Sequence, residues 1–386
     1  MPGYVLGGGT GLSPAKLAAR YGARWLMSQP QTRLTRLYDS ATTKVTPSAG
    51  GTEGQSGFDG LPVYRDIKLC NLVDGQVTAY YGDPGFSRAP TNGDVMVEIP
   101  QYYYRIDDVG STRSYLISDY PLEGYEISPR HAPHTGKPDG YDKIYVSAYE
   151  LSNGYRSISG AAPLTGQNRI QVRAGCRDRG IGYHSFDFAT YWTIVLLYII
   201  EAANWDSQAA VGAGYTSADG ITPVAHTGGS DNVAGHTGRA DGNSTAALNS
   251  AKYRHMENLW GNTSAFCDGI IVDGQSVYIC TDPSKYAEAT DDYTLLSCQA
   301  ASSSGWIKAL GYDPSVPWAQ ICTDAGGADG SYIPDLYTPH DNYHAVLIGG
   351  KMTQTSAAGL LSIEVAQADY SYSYIGSRLI YLPGEG

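Results

Sequence analysis

Few of the residue types that carry catalysis or bind metals stand at the spacings that those tasks need. His255 and Glu257 lie two positions apart, whereas two metal ligands on one helical face need a spacing of about four. His340 and His344 have that spacing, but no glutamate lies between them. The glycine-rich residues 7–11 lack the lysine of a phosphate-binding loop. These patterns predict no metal, no cofactor and no catalytic residue.

The cysteines are scattered and form no Cys-X-X-Cys pair, which argues against a zinc site. In a chain of this length we expect most of them to be reduced thiols in the core. Pairing of Cys267 with Cys280, or of Cys298 with Cys322, stays open. The six cysteines are Cys70, Cys176, Cys267, Cys280, Cys298 and Cys322.

Tyrosine is the residue type that best suits a binding surface here. The chain has 32 Tyr and only 5 Phe, and Tyr370, Tyr372 and Tyr374 alternate with serines. Tyrosine offers a rigid face and a polar tip at low entropic cost. On a strand, this alternation would put all three rings on one side. We favour contact with a ligand, and the alternative is an ordinary edge strand in a β-rich protein.

The charge pattern excludes several classes of partner. The formal net charge is −12 and no run of Lys or Arg occurs, so the chain lacks the basic stripe of a nucleic-acid binder. The apolar residues 191–200 are followed by Glu201 and are too short to span a bilayer, which predicts a buried helix and no membrane insertion. The N-terminus shows no secretory signal pattern, so we expect synthesis in the cytoplasm.

Periodicity predicts an α+β fold. Helices are expected over residues 13–28 and 187–204, the second capped by Ser185. The polar residues 212–250 read as a surface insertion. Strands are expected at residues 95–106, 113–117, 143–150, 269–272, 276–280, 345–348, 360–365 and 375–382.

Two parts of the chain are expected. Residues 1–57 end in a stretch rich in Gly and Ser, typical of a flexible junction. Residues 58–386 would form the main domain, with a leading β-rich part over 58–140 and the insertion at 212–250.

Four residues have predicted structural roles. Asn258 and Asn262 flank Leu259-Trp260-Gly261, a pattern that suits a tight turn with a buried indole and asparagines that bond backbone groups. Arg378 is expected to make a fixed hydrogen-bonded pairing with an acidic or carbonyl partner.

Seven short motifs occur in an order that resembles one known fold family. They are Val95-Met-Val-Glu-Ile-Pro100, Ile144-Tyr-Val-Ser-Ala-Tyr-Glu150, Val172-Arg-Ala-Gly-Cys-Arg-Asp-Arg-Gly180, Asn204-Trp-Asp-Ser-Gln208, Glu257-Asn-Leu-Trp-Gly-Asn262, Gly349-Gly350 and Ile375-Gly-Ser-Arg-Leu379. The set resembles the C-type-lectin fold of phage tail receptor-binding proteins, of variable proteins of diversity-generating retroelements, and of formylglycine-generating enzymes. The resemblance covers residues 58–386. It implies a C-type-lectin-like domain at the C-terminus, with a smaller, partly β virion-attachment region before it.

The enzymatic branch of that family depends on a cysteine pair near the C-terminus, after the Gly-Gly element. Residues 324–386 contain no cysteine. The resemblance therefore favours a binding protein that is not an enzyme.

The C-terminal segment is then the expected ligand-binding surface. In such relatives asparagines often alternate before the Ile-Gly-Ser-Arg element, and here tyrosines stand in those places. A single adenine change turns an AAC codon into TAC, so retroelement diversification is a hypothesis for this run. Lys351, Met352, Gln354, Glu364 and Gln367 would need another origin. The predicted ligand-binding residues are Lys351, Thr353, Thr355, Ser362, Glu364, Gln367, Asp369, Tyr370, Tyr372 and Tyr374.

The leading hypothesis is a phage tail-tip or tail-fibre receptor-binding protein located in the virion. Its expected partners are a bacterial cell-surface protein or glycan and other tail proteins, and its expected assembly is a homotrimer. Two alternatives remain: a non-virion, retroelement-diversified binding protein of a bacterium or prophage, and a degenerate formylglycine-generating-type enzyme.

Overall fold

Tight turns built on Gly and Asp divide this chain into short segments, and most of these pair as β-strands. Asp74 and Gly75 both have positive φ, 47° and 76°, the geometry of a two-residue hairpin turn. Gly110, with φ 60°, begins another such turn. The repeated hairpins explain why strands dominate the fold.

The computed structural model describes residues 18–218, 223–240, 250–341 and 344–385. In these residues the strands, in chain order, are β1 Arg20–Leu26, β2 Thr35–Tyr38, β3 Val45–Thr46, β4 Ser48–Ala49, β5 Gln55–Ser56, β6 Lys68–Val73, β7 Gln76–Tyr80, β8 Asp94–Pro100, β9 Tyr103–Val109, β10 Thr112–Ser118, β11 Glu126–Ile127, β12 Lys143–Ser147, β13 Tyr183–Ser185 and β14 Gly238–Arg239. The strands that follow are β15 Ala251–Tyr253, β16 Met256–Glu257, β17 Ser264–Cys267, β18 Ile270–Asp273, β19 Ser276–Ile279, β20 Thr294–Gln299, β21 Gly305–Ile307, β22 Ala309–Asp313, β23 Val316–Asp324, β24 Ile333–Thr338, β25 Ala345–Ile348, β26 Ile363–Ala366, β27 Ile375–Gly376 and β28 Leu379–Tyr381. The α-helices are α1 Arg169–Arg177, α2 Phe188–Ala202 and α3 Ser207–Ala210.

The expected α+β fold with a C-type-lectin arrangement is wrong. Strand accounts for 37% of the structure and helix for 10%, and the strands form many small sheets, so the protein is mostly β. The expectation gave too much weight to the two stretches that were predicted to be helices, residues 13–28 and 187–204. It also missed many strands of two to four residues, which are too short to show a period.

The predicted helix over residues 13–28 is not a helix in its described part. Residues 20–26 form β1, which pairs antiparallel with β10. Tyr21, Ala23 and Trp25 are buried at every second position, the period of a strand rather than of a helix. Trp25 then packs edge-to-face on Trp205, with ring centroids 5.2 Å apart. Residues 13–17 lie outside the described residues.

Helix α2 forms where the sequence predicts a helix and lies in the core, with its apolar side chains buried all round. Its N-cap is Asp187, whose carboxylate accepts a hydrogen bond from the Thr190 amide at 2.7 Å, so the assignment of the cap to Ser185 is wrong. The helix ends at Ala203, which has a left-handed φ of 48°. Its side chains contact β1, β10 and β23.

Two sheets meet around this helix. The first has the order β11-β9-β10-β1-β2, and the second has the order β13-β28-β12-β8-β6-β7. The predicted strand over residues 95–106 is split between β8 and β9. The strand predicted for residues 375–382 is likewise split between β27 and β28. The strands expected at residues 113–117, 143–150 and 345–348 are present as β10, β12 and β25.

A third sheet, with the order β21-β24-β26-β25-β17-β27, carries the C-terminal segment. Strand β26 pairs antiparallel with β25 and parallel with β24. Strand β27 pairs parallel with β17. Strands β26 and β27 run in the same direction, so the residues between them pass from one end of the sheet to the other, and both of their ends are fixed by strands.

The predicted junction before residue 58 and the predicted insertion over residues 212–250 contact each other. Strand β4, in the stretch expected to be flexible, pairs parallel with β14 of the insertion. The Ser48 hydroxyl also donates to the Ala234 carbonyl. One hydrophobic cluster contains both Tyr21 and Leu382, so the described residues before position 58 pack into the main body. Residues 219–222 and 241–249 of the insertion lie outside the described residues.

Across the described ranges, no helix has the length and apolar character needed to cross a membrane. The cysteines are free thiols and five of them are buried. Burial raises the pKa of the Cys70 and Cys322 thiols to about 12. These thiols are therefore uncharged core residues at neutral pH.

Candidate functional site

The Tyr-Ser-Tyr-Ser-Tyr run lies in a loop between β26 and β27, not on the edge strand that its alternation suggests. Two turns break the extended backbone: the Tyr370 amide donates to the Gln367 carbonyl at 3.2 Å, and the Ile375 amide donates to the Tyr372 carbonyl at 3.0 Å. The three rings still contact one another. Tyr370 and Tyr372 meet edge-to-face at 5.1 Å, and Tyr372 and Tyr374 stack at 5.3 Å with an interplanar angle of 7°.

The ring cluster is open to solvent at its centre and anchored on both sides. Tyr372 is 47% exposed, whereas Tyr370 and Tyr374 are half-buried. Those two outer rings pack against a hydrophobic cluster that includes Phe266 and Ile375. The arrangement presents one exposed aromatic face on a base that is already packed.

A lysine from a neighbouring loop completes the cluster. The Lys351 ammonium lies 4.1 Å from the centre of the Tyr374 ring, a cation–π contact. Burial, with a smaller contribution from the Glu364 charge, raises the pKa of Tyr374 above its ordinary value. Tyr374 is therefore a neutral hydrogen-bonding phenol near pH 7.

The loop backbone is held by two other segments of the chain. The Gly166 amide donates to the Tyr372 carbonyl at 3.2 Å, and the Ser264 amide donates to the Tyr374 carbonyl at 3.0 Å. Since these donors come from outside the loop, they fix the rings relative to the sheet rather than merely to each other. We call Lys351, Tyr370, Tyr372 and Tyr374 the tyrosine patch.

The loop that carries Lys351 is held in place by hydrogen bonds to residues of the insertion. Met352 is buried, its carbonyl accepts from the Ala218 amide at 2.7 Å, and its amide donates to the Asn262 carbonyl at 3.2 Å. The Thr355 amide donates to the Thr216 carbonyl at 2.7 Å. Residues 216–218 of the insertion thus support the patch, a role that no local sequence pattern indicates.

The other predicted ligand-binding residues divide into two groups. Thr353, Thr355, Gln367 and Asp369 are exposed, and Glu364 is half-buried. Ser362 was expected to face outward but is buried, and its hydroxyl donates to the Leu336 carbonyl at 3.3 Å. It lies in the turn before β26, where strand alternation does not apply, so we remove Ser362 from the site.

The turn around Trp260 buries its indole, as its sequence predicts. Asn262 bonds the Ala225 backbone, but the described side-chain bond of Asn258 goes to the Glu150 carboxylate and not to backbone. The indole is buried and its Nε1 donates to the Gly212 carbonyl at 3.0 Å. Asn258 and Asn262 both have left-handed backbone, with φ 52° and 56°, which asparagine tolerates better than most residues. At Gly261 a Cβ atom would stand 2.7 Å from the Tyr215 carbonyl oxygen, so only glycine fits there.

A buried glutamate that the sequence did not single out joins these asparagines. Glu150 accepts from Asn258 Nδ2 at 3.1 Å, from Asn262 Nδ2 at 2.6 Å and from the Thr263 amide at 3.2 Å. Burial raises the pKa of Glu150, although these bonds and the Arg378 charge act to lower it. Nothing in the local sequence distinguishes Glu150 from a surface residue, because its partners lie more than a hundred positions away.

Arg378 makes the pairing with carbonyl partners that its sequence context suggests. It is buried and donates to the carbonyls of Glu257 and Ser147, the second at 3.3 Å. These contacts join the residues between β27 and β28 to β12 and to β16, which leads into the turn that carries Trp260. The role of Arg378 is therefore to brace the support of the site.

Asp187 and Glu257, two buried carboxylates, are both held by structural partners. Asp187 caps α2 and accepts from Arg130 Nη1 at 3.0 Å. Glu257 accepts from the Gly228 and Ser230 amides, each at 2.7 Å. Within the described ranges, no three His, Cys, Asp or Glu side chains are grouped so that they could hold a metal ion.

Comparison with known proteins gives no relative from which a function could be transferred. No family model matches the chain, and no curated protein matches it. The geometry of the tyrosine patch is thus the basis for assigning a function.

Proposed function

We propose that this protein is a phage receptor-binding tail protein that contacts a bacterial surface ligand through the tyrosine patch. The single observation that carries the proposal is the stacked and partly exposed Tyr372, packed on Tyr374 beside the Lys351 ammonium. Exposed aromatic clusters are uncommon on proteins that bind nothing.

The physical basis of the proposal is that the tyrosine patch would lose little conformational entropy when it binds a ligand. Binding hot spots are rich in Tyr because a ring with two rotatable bonds buries much area for little lost entropy. Here the outer rings are already packed and the loop backbone is bonded to Gly166 and Ser264. A ligand would therefore meet a surface that needs little rearrangement.

The surroundings of the patch suit a binding rim. Thr353, Thr355, Gln367 and Asp369 are exposed polar side chains on the same two loops. A polar rim around a central aromatic cluster is the usual anatomy of a protein interface. The proposed ligand is a surface protein or a surface glycan.

The test of binding uses the purified chain as a competitor. Labelled wild-type protein should bind host cells and slow adsorption of the phage, whereas Tyr372→Ala should lose at least about tenfold in apparent affinity, as for a hot-spot tyrosine. Tyr120→Ala is the matched control, since Tyr120 is also exposed, at 57%, but lies in another part of the chain. Equal binding by both variants would remove the patch from the proposal.

The nature of the ligand follows from pretreatment of the cells. Protease treatment should abolish binding if the ligand is a protein, and periodate oxidation should abolish it if the ligand is a glycan. Detection of the chain in purified virions by mass spectrometry tests its location, and its absence there would contradict the assignment as a tail protein.

Assembly is part of the same proposal. We propose a homotrimer mounted on other tail proteins through residues 1–57, as is common for tail appendages. Light scattering of the purified chain should then give three times the mass of 41.3 kDa. A stable monomer at micromolar concentration would contradict the trimer but not the binding patch.

A further inference from the structure

A cleft of about 610 Å³ lies away from the tyrosine patch, between the end of α1, β13 and the C-terminal residues. Its apolar side includes Ile181, which is 72% exposed, and Tyr183. Gly180 and Gly182 line it without side chains. None of the contacts that support the patch involves these residues, so the cleft needs a separate explanation.

Two carboxylates lie in the wall of this cleft, and both are mostly buried. Side-chain exposure is 8% for Asp282 and 17% for Glu385. Asp282 accepts from the Ser284 hydroxyl at 2.7 Å, and Glu385 accepts from His184 Nε2 at 2.6 Å and from the Tyr141 hydroxyl. Burial acts to raise both pKa values, but these bonds, with the Lys285 charge near Asp282 and the Arg130 charge near Glu385, hold them below their ordinary range. Both groups are therefore anionic at neutral pH.

A histidine in the same wall has a ring nitrogen without a hydrogen-bond partner. His184 lines the cleft and is 8% exposed. Its Nε2 faces the Glu385 carboxylate and so carries the proton. Its Nδ1 is buried and has no hydrogen-bond partner among the described residues. A buried polar atom without a hydrogen-bond partner is costly.

The second histidine does not supply positive charge to the cleft. His134 Nδ1 accepts from the Gly136 amide at 3.3 Å, and its Nε2 lies 2.8 Å from the Tyr141 hydroxyl. Burial and the Arg130 charge lower the pKa of His134, so its ring is neutral at pH 7. Arg177 is the one guanidinium among the described residues that line the cleft, and it donates to the Pro283 carbonyl.

These features define the chemistry of a ligand. The wall offers carboxylate acceptors on Asp282 and Glu385 beside the unpartnered His184 Nδ1, and the lining also includes the apolar Ile181. A matching ligand carries several N–H donors and a positive charge on a short hydrocarbon chain. We propose that this cleft binds the ammonium group of a small aliphatic amine, with the hydrocarbon chain lying against Ile181. This site is independent of the proposed receptor-binding function.

The test is a calorimetric titration of the full chain with cadaverine, at low salt and pH 7. Wild-type protein should bind one molecule in a saturable manner, and pentanediol, its neutral counterpart, should not bind. Glu385→Gln and Asp282→Asn should each weaken binding about tenfold or more, since each removes a charge-assisted hydrogen bond. Asp291→Asn removes an equal charge at an exposed position outside the cleft and should leave binding unchanged.

A further variant keeps the test decisive if the carboxylate variants fold poorly. Ile181→Lys changes an exposed residue, so the fold should persist, and its own ammonium should fill the site and block cadaverine. Saturable binding to wild type that is lost in Ile181→Lys and kept in Asp291→Asn supports the amine site. No binding to wild type, equal binding of pentanediol, or unchanged affinity in Ile181→Lys would overturn it.

Discussion

The Lys351 ammonium and the Tyr374 ring are in direct cation–π contact, 4.1 Å from nitrogen to ring centre. The contact joins two loops that are separated in sequence and supported by different strands. It also places the positive charge of the patch beside its aromatic stack. A ligand that meets Tyr372 therefore also meets this charge.

Reversal of that charge should weaken binding more than folding. Lys351→Glu puts a negative group against the negative face of the ring, at a cost to the free energy of unfolding of about 1 kcal/mol or less at a partly exposed site. Binding to host cells should fall several-fold. Lys44→Glu, at an exposed position elsewhere, should change neither quantity. Equal loss of binding in both variants would point to a non-specific effect of net charge.

The Glu150 network should make Asn262 intolerant of aspartate. Asn262→Asp replaces the Nδ2 donors to Glu150 and to the Ala225 carbonyl with oxygens, leaving two carboxylates in contact in the core. The expected loss is about 3–5 kcal/mol of unfolding free energy at pH 7. Urea denaturation should show part of it recovered at pH 5, because burial raises the pKa of Glu150 and it takes up the proton first.

Asn71→Asp is the matched control for this network. Asn71 is also buried and bonds the Ser87 backbone through both side-chain atoms. Its described hydrogen bonds involve no carboxylate, so its aspartate variant should lose less stability and recover less at low pH. The same loss in both variants would mean that contact with Glu150 is unimportant.

The Trp260 indole should contribute both packing and a specific hydrogen bond. Trp260→Phe leaves the Gly212 carbonyl without its Nε1 donor and removes part of the ring volume. The expected destabilisation is about 1–3 kcal/mol in chemical denaturation. Trp306→Phe, at a half-buried position, should cost less. A neutral Trp260→Phe would show that the turn does not depend on the indole.

How much of the fold can be predicted from the sequence depends on how far apart in the chain the interacting residues lie. Helix α2, strand β10 and the Trp260 turn follow from local periodicity and local turn residues, and the sequence predicts them. Strand β1 does not, because its pairing with β10 and the packing of Trp25 on Trp205 involve residues far away in the sequence. The Glu150 network stays hidden for the same reason.

In the candidate site, too, some features follow from the local sequence and others do not. Tyrosine content and spacing single out Tyr370, Tyr372 and Tyr374, and these rings do cluster. Their arrangement is not that of a strand, since turns at residues 367–370 and 372–375 bend the backbone. The prediction that Ser362 contacts a ligand is wrong. It assumed that Ser362 lies on a strand, whereas β26 begins one residue later, at Ile363.

Asp335 should make stability depend on pH. Burial raises its pKa from 3.8 to about 8, although the Leu361 amide bonds it. Below about pH 4 both states hold the proton, so the carboxyl then has no ionisation cost. As pH rises to 8, the unfolded chain releases the proton and the folded protein keeps it, so stability falls.

Asp335→Asn removes this dependence. The difference in unfolding free energy, variant minus wild type, should rise by on the order of 3 kcal/mol between pH 5 and pH 8. Urea denaturation at several pH values measures it. A constant difference across this range would show that the carboxyl ionises in the folded protein as it does in the unfolded chain.

The most direct measurement is the adsorption rate of phage that carries Tyr370→Ala, Tyr372→Ala and Tyr374→Ala together. We predict a loss of adsorption of at least about a hundredfold, because hot-spot truncations of this kind each cost 1 kcal/mol or more. The purified triple variant should keep the circular dichroism spectrum of the wild type, since Tyr372 is exposed and its neighbours are half-buried. Wild-type adsorption by a folded triple variant would contradict the assignment of the tyrosine patch as the receptor-binding surface.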